Sequence, residues 1–157
     1  MWTVIDSPVG ELRLVEHDGA LTAIEFAPFE DKHLRGERDD AHPLLVETAR
    51  QLAAYFAREL QDFDLPLAPV GSDFQHRVWA ALREIGYGET ASYGQVAARL
   101  GMTAAASRAV GLANGRNPIP IVVPCHRVIG ANGTLTGYAG GLPRKQLLLG
   151  LESAALF

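Results

Sequence analysis

Between Asp62 and Gly71 the chain places Pro66 and Pro69 in a stretch that follows neither the two-residue period of a strand nor the 3.6-residue period of a helix. Each proline fixes its own φ and removes a backbone donor, so no regular element is expected to run through such a stretch. The chain is therefore expected to fold in two parts, residues 1–68 and 69–157, and the two differ in kind. In the first, Trp2 to Ser7, Glu11 to Glu16 and Ala20 to Phe26 are strand-like, and Pro8-Val9-Gly10 and His17-Asp18-Gly19 between them are turn chemistries, which predicts an antiparallel meander. Ala27 to Ala41 is charged and irregular. Leu45, Ala49, Leu52, Phe56 and Leu60 then recur at helical steps and predict an amphipathic helix that opens near Pro43 and covers the sheet.

Beyond the prolines the signals are helical. Ser72-Asp73-Phe74-Gln75 reads as a capping box, with Phe74, Val78, Leu82 and Ile85 on one face and Gly86-Tyr87-Gly88 as the stop. A second box, Ser92-Tyr93-Gly94-Gln95, starts a short helix through Leu100. Gly101 then permits a left-handed turn, and Thr103 can cap a further helix through Ala113. Two short helices about a glycine turn fit a DNA-binding helix-turn-helix, and fit a plain helical hairpin as well.

Charge divides the chain in the same sense. Residues 1–89 hold 17 acids against 8 Lys and Arg, whereas residues 90–151 contain no Asp or Glu and carry Arg99, Arg108, Arg116, Arg127, Arg144 and Lys145. Such a surface does not repel phosphates, although a cationic face without a partner has the same composition. Thr103 to Gly111 is nearly all small residues, so its backbone can approach a duplex closely with Arg108 as the long side chain. In the minor groove it would read little sequence, and Arg108 can either wedge into the base stack or contact a phosphate.

No stretch approaches the roughly 18 apolar residues of a membrane span, and the N-terminus lacks a signal-peptide layout, so a soluble cytoplasmic protein is expected. One cysteine and five scattered histidines offer neither a disulfide nor a metal cluster, and no cofactor is expected. That cysteine, Cys125, follows Ile121-Val122-Val123-Pro124 and precedes His126-Arg127. In that setting it is either an inert core filler or a thiol whose ionisation is favoured by a neighbouring imidazole and guanidinium.

Asn117-Pro118-Ile119-Pro120-Ile121-Val122-Val123-Pro124-Cys125-His126-Arg127-Val128-Ile129 closely resembles the active-site signature of the O6-alkylguanine-DNA alkyltransferases, also called methylated-DNA-protein-cysteine methyltransferases. The likeness extends over roughly residues 71–152, through Phe74-Gln75, Val78-Trp79, Tyr87-Gly88, Ser92-Tyr93, Ser107 to Gly111 and Gly137 to Leu142; the first seventy residues share only the general layout. The resemblance implies an α+β fold: a ribonuclease-H-like antiparallel sheet with a helix, then a mostly helical, winged-helix-like domain with a helix-turn-helix. It implies DNA repair by irreversible, single-turnover transfer of an alkyl group from O6 of a flipped-out guanine, with O4 of thymine as a further candidate, to Cys125. His126 would act on the sulfur through a water, Glu152 would orient His126, and Tyr93 would assist the flipped base. Arg108, Tyr93, Ser92, Ala106 and Arg116 would face DNA, and Arg108 would fill the vacated stack. Asn117 would form a hinge; Val128, Tyr138 and Ala139 would shape the pocket, Ala139 standing where many members carry Ser. The partner would be double-stranded DNA, met through the minor groove with little sequence specificity by a monomer that uses no cofactor and touches no membrane; in a bacterium it would sit with the nucleoid. A non-catalytic sensor of alkylated DNA is the alternative, against which the presence of Cys125 counts; a thiol hydrolase fits less well, because adjacent residues rarely supply a direct nucleophile-base pair.

Overall fold

The computed structural model describes residues 1–32, 34, 36–133, 135, 138 and 140–153. The chain has an α+β fold that divides into two compact units, Met1–Val70 and Gly71–Phe157. In the first unit, β1 (Trp2–Ile5), β2 (Leu12–His17) and β3 (Ala20–Phe26) form an antiparallel sheet in the order β1-β2-β3. Thr3 faces Leu14, Leu14 faces Ile24, and a bulge falls between Val15 and Glu16. Asp18 and Gly19 turn the second hairpin with φ of 50° and 80°, the left-handed region that glycine enters without penalty.

Helix α1 (Pro43–Phe56) carries its proline in the first turn, where the missing N–H is no loss, and Nδ1 of His42 accepts from Leu44 N at 3.2 Å. It packs on the sheet and buries Leu45, Leu52 and Tyr55 against Leu12, Leu14, Leu21 and Ile24. It stops at Phe56, short of Leu60, because Arg58 takes a left-handed φ of 61°. The chain then folds back: Gln51 binds both the N–H and the carbonyl of Asp64 at 2.9 Å. The proline stretch is no loose connector either. Leu21 N donates to Pro66 O and Ala68 N to Leu21 O, at 2.8 and 2.9 Å, so this segment lies along β3. The charged stretch after β3 is tied down by Arg13, which is buried, grips Glu25 through two bonds and Asp31 through a third, and lies over the rings of Trp2 and Phe29.

The second unit comprises α2 (Asp73–Leu82), β4 (Ala91–Ser92), α3 (Tyr93–Arg99), α4 (Ser107–Gly115), β5 (Val128–Ile129) and α5 (Leu142–Ser153), with 3-10 turns at Ala104–Ala106 and Cys125–Arg127. Both capping boxes form, at Ser72 with Gln75 and at Ser92 with Gln95. Gly101 adopts φ 74°. The expected helix from Thr103 to Ala113 is corrected at both ends: Thr103 makes no side-chain cap, the chain first winds as a 3-10 turn, and the α-helix runs from Ser107 to Gly115. β4 and β5 pair in parallel, Ala91 with Val128, which sets the start of α3 beside the chain leaving Cys125. Indole Nε1 of Trp79 on α2 donates to Ala113 O of α4 at 2.9 Å inside the core. No described helix is long and apolar enough to cross a membrane.

Candidate active site around Cys125

Three prolines in Asn117-Pro118-Ile119-Pro120-Ile121-Val122-Val123-Pro124 forbid a regular element, and the chain instead coils into a buried, self-bonded turn. Val122 N bonds Pro120 O and Val123 N bonds Ile119 O, both at 2.9 Å. Ile121 sits at φ 74°, a β-branched residue in the left-handed region, a strain of order 1–3 kcal/mol that a buried surround holds in place. Two asparagines brace this turn. Nδ2 of Asn117 donates to Val123 O at 2.8 Å while its Oδ1 accepts from Ile119 N at 3.0 Å, and Nδ2 of Asn114 on α4 donates to Cys125 O at 3.3 Å.

Cys125 is thereby presented as a buried thiol, 3% exposed. Burial pushes its pKa up; hydrogen bonds from the Asn117 and Tyr138 side chains and the charge of Lys145 oppose that. The resting sulfur is therefore protonated and needs a base. His126, fully buried beside it, has Nε2 at 2.7 Å from Glu152 Oε2, while Nδ1 has no hydrogen-bond partner among the described residues. Burial pushes the imidazole pKa down, and the Glu152 carboxylate pulls the other way. The neutral ring that results, with Nε2–H donated to the carboxylate, leaves Nδ1 as an acceptor.

Glu152 does more than orient the imidazole. Arg127 reaches it twice, Nε to Oε1 at 2.9 Å and Nη2 to Oε2 at 3.0 Å, while Nη1 donates to Ile85 O at 2.7 Å. The guanidinium read from sequence as a neighbour of the thiol is thus committed to the carboxylate. Gly88 N adds a longer contact of 3.4 Å to Oε1. One buried acid therefore joins α5, the Cys125 turn and the loop after α2. Lys145, on α5 and fully buried, donates from Nζ to Val128 O at 2.6 Å. Among the described residues no group of three or more His, Cys, Asp or Glu is placed to hold a metal ion.

Residues 73–154 match the family model described as 6-O-methylguanine DNA methyltransferase, DNA binding domain, and residues 1–69 match the ribonuclease-like domain of the same family. The chain belongs to the 6-O-methylguanine DNA methyltransferase family. It is 52% identical to the methylated-DNA–protein-cysteine methyltransferase of Mycolicibacterium paratuberculosis over 96% of this chain and 91% of that one. It is 49% identical to the protein of the same name from Methanosarcina acetivorans, with 98% of each covered. Among solved structures it resembles Mycobacterium tuberculosis OGT in complex with DNA, with a TM-score of 0.90 and 50% identity over 98% of this chain and 92% of that one.

In this member of the methyltransferase family, Cys125, His126, Glu152, Asn117, Val128 and Tyr138 come together in one buried cluster, while Ala139 lies outside the described residues. Tyr93 opens α3 half-buried against Gly111 of α4, where an added Cβ would meet its ring at 3.6 Å. Ser92 is the cap of α3, its Oγ accepting from Gln95 N. Arg108 on α4 and Arg116, which caps its C-terminus, are exposed, Ala106 precedes that helix and is half-buried, and Leu112, 62% exposed, lies between the two arginines in sequence. Asn114, Arg127 as the partner of Glu152, and Lys145 were not singled out from sequence. For Lys145 a signal existed: Lys145, Leu148 and Glu152 recur at helical spacing, and all three are buried.

Proposed function

We propose that this protein repairs DNA by taking an alkyl group from O6 of guanine onto Cys125, with residues 69–157 carrying both the DNA contacts and the acceptor. The single observation that carries the assignment of the acceptor is a buried thiol followed in sequence by an imidazole whose other nitrogen is held by a buried carboxylate. O6 of a stacked base is out of reach of a sulfur so deeply set, so the nucleotide must leave the stack, at a cost of a few kcal/mol that is smaller for a lesion whose pairing is already damaged. The small-residue helix α4 enters the minor groove in this reading, Arg108 fills the vacated place, and Ser92, Ala106 and Arg116 contact the backbone.

At the sulfur the balance is simple. The Sγ–H proton passes through a water to Nδ1 of His126, the sulfur electron pair forms a bond to the alkyl carbon, and the pair of the breaking C–O6 bond stays with guanine. The base takes up a proton in turn, aided by the Tyr93 phenol, so the net products are guanine and a thioether. Asn117 holds the turn against α4; Val128, Tyr138 and Ala139 shape the base pocket. Because a thioether is not reversed, each chain acts once, as a monomer in the cytoplasm and beside the nucleoid if its host is a bacterium.

Intact-mass analysis after exposure to a duplex containing O6-methylguanine tests this. One added methyl per chain, mapped to the Cys125 peptide and lost in Cys125→Ser, is expected. Tight binding with no mass gain would instead make the protein a sensor, and a gain elsewhere would overturn the assignment of Cys125.

A further inference from the structure

Nδ1 of His126 and Oδ1 of Asn114 are buried without a hydrogen-bond partner among the described residues, the first on the residue that follows Cys125 and the second on the side chain that bonds the Cys125 carbonyl. Buried polar atoms are rarely left so, and where they are, a catalytic group or a bound water is the usual reason. Asn114 is 3% exposed and fixed by its other end, Nδ2 donating to the carbonyl of Cys125 at 3.3 Å, so Oδ1 is held at a set place relative to the reacting residue. His126 gives its Nε2 side to Glu152, which leaves Nδ1 as the ring's acceptor.

A water that carries a proton from Sγ to Nδ1 accepts from the thiol and donates one hydrogen to the imidazole. Its second hydrogen needs an acceptor as well, or the water is free to turn away from the sulfur. We infer that Oδ1 of Asn114 is that acceptor, which makes Asn114 a positioning residue for the transfer. The inference rests on the alkyl-transfer reading above. The step balances as before: the Sγ–H bond breaks with its pair left on sulfur, the water receives that proton as it passes one of its own to Nδ1, and the hydrogen facing Asn114 stays where it is.

The charged groups that act on the imidazole are Glu152 and Lys145 from α5 and Arg127 from its own turn, with Tyr87 behind the guanidinium. None of them changes in the variants that test the proposal. Single-turnover methyl transfer from a duplex with O6-methylguanine is measured against pH for the unmodified protein, Asn114→Leu and Asn114→Asp. Asn114→Leu keeps the branched shape and removes the acceptor; its plateau rate falls about tenfold and its acid limb moves to lower pH, because the protonated relay loses a stabilising oxygen. Asn114→Asp keeps an oxygen there and adds charge, so its acid limb moves to higher pH. If Asn114 is only a brace for Cys125 O, the leucine variant loses rate with its limb unmoved, and the proposal falls; the added charge of the aspartate variant raises its limb in either case. Should the leucine variant fail to fold, Asn114→Ala, which removes the same oxygen without adding bulk, is read by the same limb. Absence of transfer in the unmodified protein would sink the alkyl-transfer reading itself, a result distinct from transfer that ignores Asn114.

Discussion

Glu152 is one carboxylate asked to satisfy both an imidazole and a guanidinium inside the fold. Removing one partner of a buried pair leaves the other charge stranded, so Glu152→Gln is expected to destabilise the protein by roughly 3–5 kcal/mol, read as a lower denaturation midpoint, in addition to slowing transfer. A control follows from the same geometry: Arg127→Met together with Glu152→Leu removes both charges and restores part of that stability without restoring transfer. The pH response has a definite sign. His126 has a lowered pKa in the folded state, so between that value and the ordinary imidazole value the unfolded chain binds more protons; the stability contribution is complete above the ordinary value and is lost as pH falls through the lowered one. The transfer rate shares that acid limb, since a protonated imidazole accepts nothing, and a pH series of single-turnover rates beside one of thermal midpoints checks both. At this scale Cys125 stood out as a lone cysteine beside a histidine, whereas His126 and Glu152 as its partners came from the family resemblance. Asn114 did not stand out, since an Asn acquires meaning only once packing has buried it, and the helical spacing that Lys145 shares with Leu148 and Glu152 marks a buried face without saying what the ammonium does.

At the scale of elements, the turn at the end of α1 is set by backbone rather than by hydrophobic period. The apolar spacing runs on to Leu60, yet Arg58 at φ 61° ends the helix, which no periodic pattern encodes. A side chain costs about 1 kcal/mol in that region, so Arg58→Gly is expected to raise stability by roughly 0.5–1 kcal/mol, measured by chemical denaturation. The capping boxes at Ser72 and Ser92 were legible because they are local: cap and acceptor lie three residues apart in the sequence. The bond from Trp79 to Ala113 was not, since it spans 34 positions. Trp79→Phe, which removes the indole donor while Ala113 O keeps its bond from Arg116 N at 3.2 Å, is expected to lower stability by about 0.5–1.5 kcal/mol, and its effect should register on thermal unfolding.

For the molecule as a whole, charge is the property that crosses from sequence to function without passing through detail. Acids crowd the first 89 residues, and residues 90–151 have none. Binding to duplex DNA is therefore expected to weaken steeply as salt rises, and Arg116→Ala to reduce the slope of log affinity against log salt by about one if that residue meets a phosphate. Arg108→Ala should separate recognition from chemistry: transfer from duplex falls more than tenfold while transfer from the free alkylated base is unchanged, if the arginine serves only to replace an extruded nucleotide. The meander was readable from strand-like runs parted by turn residues, but the docking of Pro66 to Ala68 along β3 was not, because prolines announce only what they prevent.

A practical consequence follows from the sulfur being both solitary and sheltered. Since the chain owns a single thiol and keeps it 3% exposed, a bulky disulfide reagent should ignore the native molecule and label it once after denaturation. Every spent copy would drop out of that count, so a colorimetric assay on unfolded samples gives the fraction still competent, and the molecule serves as the tally of its own past encounters with damage.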